Sequence, residues 1–307
     1  MKQNFQVLLF YKYISIADPK KVRDEQRSLC EFLDLKGRII VSYEGINGTV
    51  EGTAENTEKY IKSMGESEYF KDISFKKSTG TGEAFPKLSV KFRPEVVTTK
   101  VDGLDPNKTT GKYLSAEELH QWYEDGKEFY VVDMRNDYEY ASGHFENFIS
   151  SELKNFYDLP SVLPKLIHLK DKTVVTVCTG GIRCEKASGF LVENGFVDVY
   201  QLKDGIHTYM EKYPNQHFKG KLYVFDKRIT VGFNTDSPEH LIVGSCDKCG
   251  KPCDSYVNCA YNECHRHFIS CDDCLDEKTG LAFCDKSCED NYYKITIHHK
   301  GVTPPLH

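Results

Sequence analysis

Residues 5–13 are crowded with strand formers, and Val22, Leu29 and Leu33 then fall on one face of a 3.6-residue period. The change of pattern predicts a strand followed by a helix. Asp18 is placed to cap that helix, Pro19 to open it and Gly37 to stop it. Strand formers at 38–43 and 49–51 flank Gly45-Ile46-Asn47-Gly48, where Asn47-Gly48 signals a hairpin turn. A helix over residues 55–64 and strand stretches at 73–77 and 88–92 follow. The order strand, helix, strand, strand, helix, strand is that of a split ferredoxin-like unit. An N-terminal α+β domain is therefore expected over residues 1–100.

Residues 101–113 hold Asp105-Pro106-Asn107 and Gly111, the composition of a linker. Ser115-Ala116-Glu117-Glu118 then has capping-box spacing and starts a helix reaching about Tyr123. Beyond it the apolar residues run unbroken instead of alternating, at Tyr130-Val131-Val132 and again at 173–177. Parallel strands covered on both faces read this way. A helix carrying Ala187, Phe190, Leu191 and Val192 comes next, then a strand at 197–202. The alternation predicts a doubly wound α/β domain over residues 113–216. No apolar run approaches the ~20 residues that cross a bilayer. The short apolar stretch near the start lacks the small-residue cleavage site of a signal peptide. The expected setting is the cytoplasm, without a membrane partner.

The net charge of −6 does not announce nucleic-acid binding, although a local basic surface is compatible with it. The twelve cysteines change the picture more. Cys30, Cys178 and Cys184 precede residue 240, and the other nine lie between Cys246 and Cys288. Such clustering resembles a metal-binding module, not a disulfide framework spread through its domain. Spacing pairs Cys246 with Cys249, Cys259 with Cys264, Cys271 with Cys274, and Cys284 with Cys288. These eight thiolates suffice for two tetrahedral structural zinc ions, with Cys253 left over. An interleaved plan is favoured, first pair with third and second with fourth. Sequential pairing stays open, as does replacement of a cysteine by His265 or His267. The module is expected over residues 240–292, with metal supplying its folding energy and no catalysis. From Lys294 the tail is expected to fray, and His298-His299 reads as incidental.

Cys178 follows the buried strand at 173–177 and feeds a helix. Gly180 and Gly181 let the loop turn amide N–H groups inward, while Arg183 and the helix dipole add positive potential. Both favour a nucleophilic thiolate. The plainer reading, a buried structural cysteine, is weakened by the Gly-Gly turn and Arg183. Cys184 either resolves an oxidised or persulfide sulfur on Cys178 or packs under the helix. Asp133 and Arg135 read as a pair holding loops together, and His144 as structural.

Cys178-Thr179-Gly180-Gly181-Ile182-Arg183 resembles the rhodanese active-site loop. Val132-Asp133-Met134-Arg135, Glu139-Tyr140, Gly143-His144-Phe145 and Leu202-Lys203-Asp204-Gly205-Ile206 resemble the same family's other signatures, with Asp204 where glycine is usual. Three further segments narrow the resemblance: Cys184-Glu185-Lys186-Ala187, Ser42-Tyr43-Glu44-Gly45-Ile46-Asn47-Gly48-Thr49, and Val224-Phe225-Asp226-Lys227-Arg228. With the cysteine-rich end, nearly the whole chain resembles the bacterial rhodanese-domain tRNA uridine hydroxylases. The resemblance implies oxygen-dependent hydroxylation of the wobble uridine to 5-hydroxyuridine. It further implies the tRNA anticodon loop as partner, molecular oxygen as co-substrate, and Cys178 as the essential cysteine. A sulfurtransferase working through a Cys178 persulfide is the alternative enzyme. No dinucleotide fingerprint, no two-histidine, one-carboxylate iron triad and no flavin or haem motif is legible. Lys76, Lys77, Lys91 and Arg93, with Phe75, Phe85 and Phe92 among them, are the expected RNA-tracking surface. A solvated sheet face over core phenylalanines is the plainer alternative.

Overall fold

The computed structural model describes residues 4–300, with side chains as far as residue 295. The first domain comprises β1 (Phe5–Tyr13), α1 (Pro19–Phe32), β2 (Lys36–Ser42), β3 (Gly45–Thr53), α2 (Ala54–Gly65), β4 (Phe75–Thr79) and β5 (Leu88–Phe92). Its sheet has the order β4-β1-β3-β2-β5, antiparallel except for the β2–β5 pair. Period-two alternation decides which face is filled. Leu8, Phe10, Ile39, Val41, Ile46 and Val50 point into a core shared with Val22 and Cys30 of α1 and Tyr60 and Met64 of α2. Asp18 caps α1, accepting from the Lys21 N–H at 3.0 Å.

Two local expectations fail for identifiable reasons. Gly37 does not stop α1, which ends at Phe32; Asp34 takes the left-handed conformation (φ 49°) and Gly37 lies inside β2. Asn47-Gly48 is not the hairpin turn. The chain reverses at Tyr43-Glu44, where the Ser42 hydroxyl accepts the Glu44 N–H, and Asn47-Gly48 pairs within β3. Burying Ile46 and Val50 on one face keeps the strand running through this dipeptide. Gly48 is needed there because a Cβ would lie 2.4 Å from the Phe10 ring.

The second domain contains β6 (Lys112–Leu114), α3 (Ala116–Glu124), β7 (Tyr130–Asp133), α4 (Asp137–Tyr140), β8 (Gly143–Phe145), β9 (Ile149–Ser150), α5 (Leu163–Leu166), β10 (Thr173–Val177), α6 (Ile182–Glu193), β11 (Asp198–Leu202) and α7 (Gly205–Lys212). Its sheet, β6-β11-β10-β7-β9, is wholly parallel. One apolar cluster joins α5 and α6 to the sheet, and a second joins α3 and α7 to it. The doubly wound expectation follows from this burial on both faces. The expected capping box at Ser115 is formed with Glu118.

β12 (Phe218–Gly220) pairs with β8, so the α/β body continues beyond residue 216 before β13 (Leu222–Tyr223) and β14 (Thr230–Val231). The cysteine-rich segment then folds around the hairpin β15 (Tyr256–Asn258) and β16 (His267–Ile269). It docks through the Lys221–Asp254 pair at 2.9 Å and a hydrogen bond from the Tyr256 hydroxyl to the Tyr138 carbonyl. The backbone is helical from Lys294 to Lys300 within α8 (Lys286–Lys300), and the rest of the tail expected to fray, residues 301–307, lies outside the described residues. The side chains of His298 and His299 lie outside the described residues. Among the described residues no helix is long and apolar enough to cross a membrane.

Candidate active site between two domains

Val177 ends β10 and delivers Cys178 to the carboxyl edge of the parallel sheet, where open α/β folds collect ligands. Gly181 adopts a left-handed conformation (φ 99°), which aims its N–H at the Cys178 sulfur, 3.2 Å away. The N–H groups of Arg183 and Cys184 face the same sulfur. Burial alone would push the Cys178 thiol up. Hydrogen bonding from the Cys184 thiol, the Arg183 charge and the two amides outweigh burial and bring it down to about 6. The neighbouring Cys184 moves the other way, far above the ordinary thiol range, through burial and then through Cys178. Cys178 is thus the thiolate of the pair and Cys184 the thiol.

Arg183 does not reach into open space. It grips Glu139 of α4 with two parallel hydrogen bonds of 2.5 and 2.8 Å, both side chains being buried. Asp133 and Arg135 form a completely buried pair at 2.6 Å, and Arg135 also donates to the carbonyls of Glu139 and Gly143. Their role is to fix the segment that presents Glu139. His144 stacks on Phe148 and bonds the Phe145 carbonyl, away from the reactive loop.

The helix-free face of the first domain's sheet closes over this loop. A cavity of about 270 Å³ separates them, near the lower end of small-molecule sites (~300–1,000 Å³). Cys178, Thr179, Gly180, Ile182 and Arg183 form its floor; Leu9, Tyr11, Arg38, Ile40, Asn47 and Thr49 come from β1, β2 and β3. Phe225, beyond the α/β domain, completes the lining beside Phe85 and Val97. The approach is close: a Cβ on Gly180 would sit 2.8 Å from Leu9 Cδ2, and one on Gly181 2.7 Å from the Tyr11 hydroxyl.

Polar fasteners rim the contact. Lys186 bridges Glu44 at 2.9 Å and Glu95 at 3.4 Å, Lys76 pairs with Asp204 at 2.7 Å, and Arg228 donates to Ser78 and Thr79. The Glu185 carboxylate accepts from Tyr11, Thr110, Tyr113 and Gln201. Burial, then Glu185, hold Tyr11 well above the ordinary phenol range, so it stays neutral. The three signature segments around Glu44, Cys178-Lys186 and Phe225 are therefore parts of one interface. Sequence reasoning missed Tyr11, Arg38 and Phe225 as lining residues. A signal existed in β1, where Val7 and Leu9 make the second sheet face apolar as well, marking a face that must be covered.

Family models match three consecutive stretches: a UPF0176 acylphosphatase-like domain over residues 5–96, a rhodanese-like domain over 115–212 and a rhodanase C-terminal region over 219–289. The tRNA uridine(34) hydroxylase of Bacillus licheniformis is 41% identical across 99% of this chain and 94% of that protein. Its namesake from Oceanobacillus iheyensis is 44% identical over 98% of this chain and 93% of its own length, and that from Staphylococcus aureus 44% identical over 93% and 89%. The chain belongs to the tRNA uridine(34) hydroxylase family.

Against that family background the basic residues need correcting. Lys76, Lys77, Lys91 and Arg93 do not form one surface, because β4 and β5 lie at opposite edges of the sheet. Lys76 is buried under Asp204, and Lys77 pairs with Glu58 on the helical face. Phe75 packs on the core instead of facing RNA. Lys91 and Arg93 are exposed, and the β2–β5 register puts Lys91 opposite Ile40, on the cavity side with Arg38. Arg38 has no hydrogen-bond or ion-pair partner among the described residues, which leaves a bare cation at the cavity.

In the C-terminal region Cys246, Cys249, Cys271 and Cys274 converge, and so do Cys259, Cys264, Cys284 and Cys288, the sulfurs of each group lying within 4.8 Å of one another. Contacts of 3.6 Å (Cys249–Cys271) and 3.5 Å (Cys264–Cys284) approach the ~3.8 Å edge of a tetrahedron with ~2.3 Å zinc–sulfur bonds. Both clusters are able to hold a metal ion, and the pairing is interleaved. Cys253 stays apart, accepting from the Ser255 N–H. His267 stacks on Tyr256 and bonds Asn258, and neither it nor His265 joins a cluster.

Proposed function

We propose that this chain hydroxylates C5 of the wobble uridine of tRNA in the cytoplasm, with molecular oxygen as co-substrate and Cys178 as the nucleophile. The observation that carries this reading is a buried, depressed-pKa Cys178 opening onto a cavity roofed by a second domain. The base enters between the apolar walls supplied by Leu9, Ile40 and Phe225, since unstacked loop bases are what proteins read in RNA. Arg38, Lys91 and Arg93 take the flanking phosphates of the anticodon loop.

The Cys178 thiolate adds to C6 of the uracil ring and leaves C5 electron-rich. C5 bonds to dioxygen and, with one proton, becomes a hydroperoxide; loss of the C5 proton then breaks the C6–sulfur bond and frees Cys178 as a thiolate. The Cys178–Cys184 dithiol next reduces the O–O bond, giving two electrons and two protons and becoming a disulfide, so that one oxygen atom stays as the C5 hydroxyl and the other leaves as water. A small-molecule or protein dithiol then restores it. Arg183 keeps the sulfur ionised, and Glu139 holds Arg183 and the loop in place. The two cysteine clusters hold structural zinc, one ion each, and take no part in the chemistry.

The test is nucleoside analysis of tRNA from cells lacking the protein, complemented with wild type, Cys178→Ser or Cys184→Ser. Loss of 5-hydroxyuridine derivatives in the deletion strain and in Cys178→Ser supports the reading. Rescue by Cys178→Ser refutes it, and loss of a thiolated nucleoside instead assigns the loop to sulfur transfer.

A further inference from the structure

Two histidines and a carboxylate that lie far apart in sequence meet on the outside of the α/β domain. His120 and Glu124, four residues apart on α3, share a helix face, and His217 reaches them from the turn before β12. None of the three lines the Cys178 cavity. The sequence conceals this set because His217 is 93 residues from Glu124.

Each ring is aimed and held. His217 Nδ1 is bonded to the Glu146 carboxylate at 3.2 Å, while its Nε2 faces Glu124 Oε1 at 3.0 Å. His120 Nδ1 is bonded to the Tyr209 hydroxyl at 3.3 Å, and its Nε2 has no hydrogen bond among the described residues. The His217 ring stacks on Tyr123 (4.2 Å, 6°) and the His120 ring on Tyr213 (3.9 Å, 11°). His217 holds a left-handed backbone (φ 40°), a costly conformation for a residue with a Cβ. A carboxylate or hydroxyl on the far nitrogen of a ligating imidazole is the arrangement that orients metal-binding histidines. One ligand atom from each residue lies within 4.8 Å of the others. Donors on a tetrahedral ion with ~2.1 Å bonds are about 3.4 Å apart. The His217–Glu124 contact, at 3.0 Å, is already inside that span.

We propose that His120, Glu124 and His217 form a third metal site, for a first-row divalent cation of the zinc class, with Glu146 and Tyr209 as its supporting groups. Two imidazoles and one carboxylate suit such borderline ions and leave a coordination position open to water. The bound ion ties α3 to the segment entering the C-terminal region. It is separate from both cysteine clusters and independent of the tRNA reading.

The experiment uses the full chain with both cysteine clusters already filled with zinc. Co²⁺ is titrated in and followed by calorimetry and visible absorption. One further equivalent is expected, with the weak ligand-field bands of nitrogen and oxygen donors and without intense thiolate charge-transfer bands. His120→Gln and His217→Gln should weaken it at least tenfold, and Glu146→Gln by ~10–100-fold as a supporting residue. Circular dichroism without added metal checks that each variant folds. Should His217→Gln fail that check, His120→Gln, on the half-exposed helix face, decides. Absence of a further equivalent, or one of unchanged affinity in His120→Gln, overturns the proposal.

Discussion

Neutralising the Arg183–Glu139 pair should raise the pH at which Cys178 ionises. The natural single change, Arg183→Gln, is a poor probe. Glu139 has no exposed side chain, and stranding a buried charge costs about 3–5 kcal/mol by itself. The double variant Arg183→Gln, Glu139→Gln removes the charge and leaves no orphan. Cys178 lies near 6 against an ordinary thiol value of 9, a stabilisation of the thiolate of about 4 kcal/mol at ~1.36 kcal/mol per unit. Arg183 lowers Cys178 directly and the Glu139 charge lost with it acts in the opposite sense, so the midpoint should rise by only part of the whole depression. A rise of about one unit would take the thiolate at pH 7 from ~90% to about half. The assay is iodoacetamide alkylation across pH 5–9, with the Cys178 peptide quantified by mass spectrometry. A midpoint that stays near 6 would show that the amides and Cys184 suffice and that Arg183 serves only to position the loop. The same depression has a stability signature. It is fully present above pH ~9 and is lost as pH falls through about 6, so wild type should lose up to about 4 kcal/mol relative to Cys178→Ser across that window.

Three other outcomes follow from the interfaces. Lys186→Met strands Glu44 and Glu95 and should cost roughly 2–4 kcal/mol in urea unfolding at pH 7. That deficit should shrink on acidification, because burial already lifts the Glu44 carboxyl above its usual range and it protonates early. Stripping metal with a chelator should abolish hydrogen-exchange protection around β15 and β16 while β10 and β11 stay protected, since each cysteine cluster has only a small apolar core around it. Arg38→Gln should weaken tRNA binding and reduce the slope of log affinity against log salt by about one, whereas Lys77→Gln should change neither. Equal losses in the two variants would remove Arg38 from the RNA surface.

Elements governed by local periodicity were legible in the sequence. The parallel strands announced themselves by unbroken apolar runs, and the capping box at Ser115 by four consecutive residues. The interleaved cysteine plan was also readable, because pair spacing survives in sequence. Asn47-Gly48 misled, since a turn-prone dipeptide yields when its neighbours Ile46 and Val50 gain more from burial in a continuous strand. The basic stretch misled for a topological reason: residues close in sequence on β4 and β5 are carried to opposite sheet edges. Nothing local could show that Glu44 would meet Lys186, or that His217 would meet His120. Those meetings depend on how whole domains pack. The loop around Cys178 was therefore readable, and the wall facing it was not.

Among the residues lining the Cys178 cavity, the roofing sheet brings no cysteine, histidine or carboxylate. On the proposed reading, reactivity and admission are written in separate stretches of chain, one tuning the sulfur and the other choosing what reaches it. Substitutions at Leu9 or Ile40 should then change the clientele at constant chemistry, and each such trial leaves Cys178 intact. The same separation gives the first domain a guardian's duty. An α/β domain cut away from it would keep an ionised sulfur with no doorkeeper, open to any small oxidant in its surroundings.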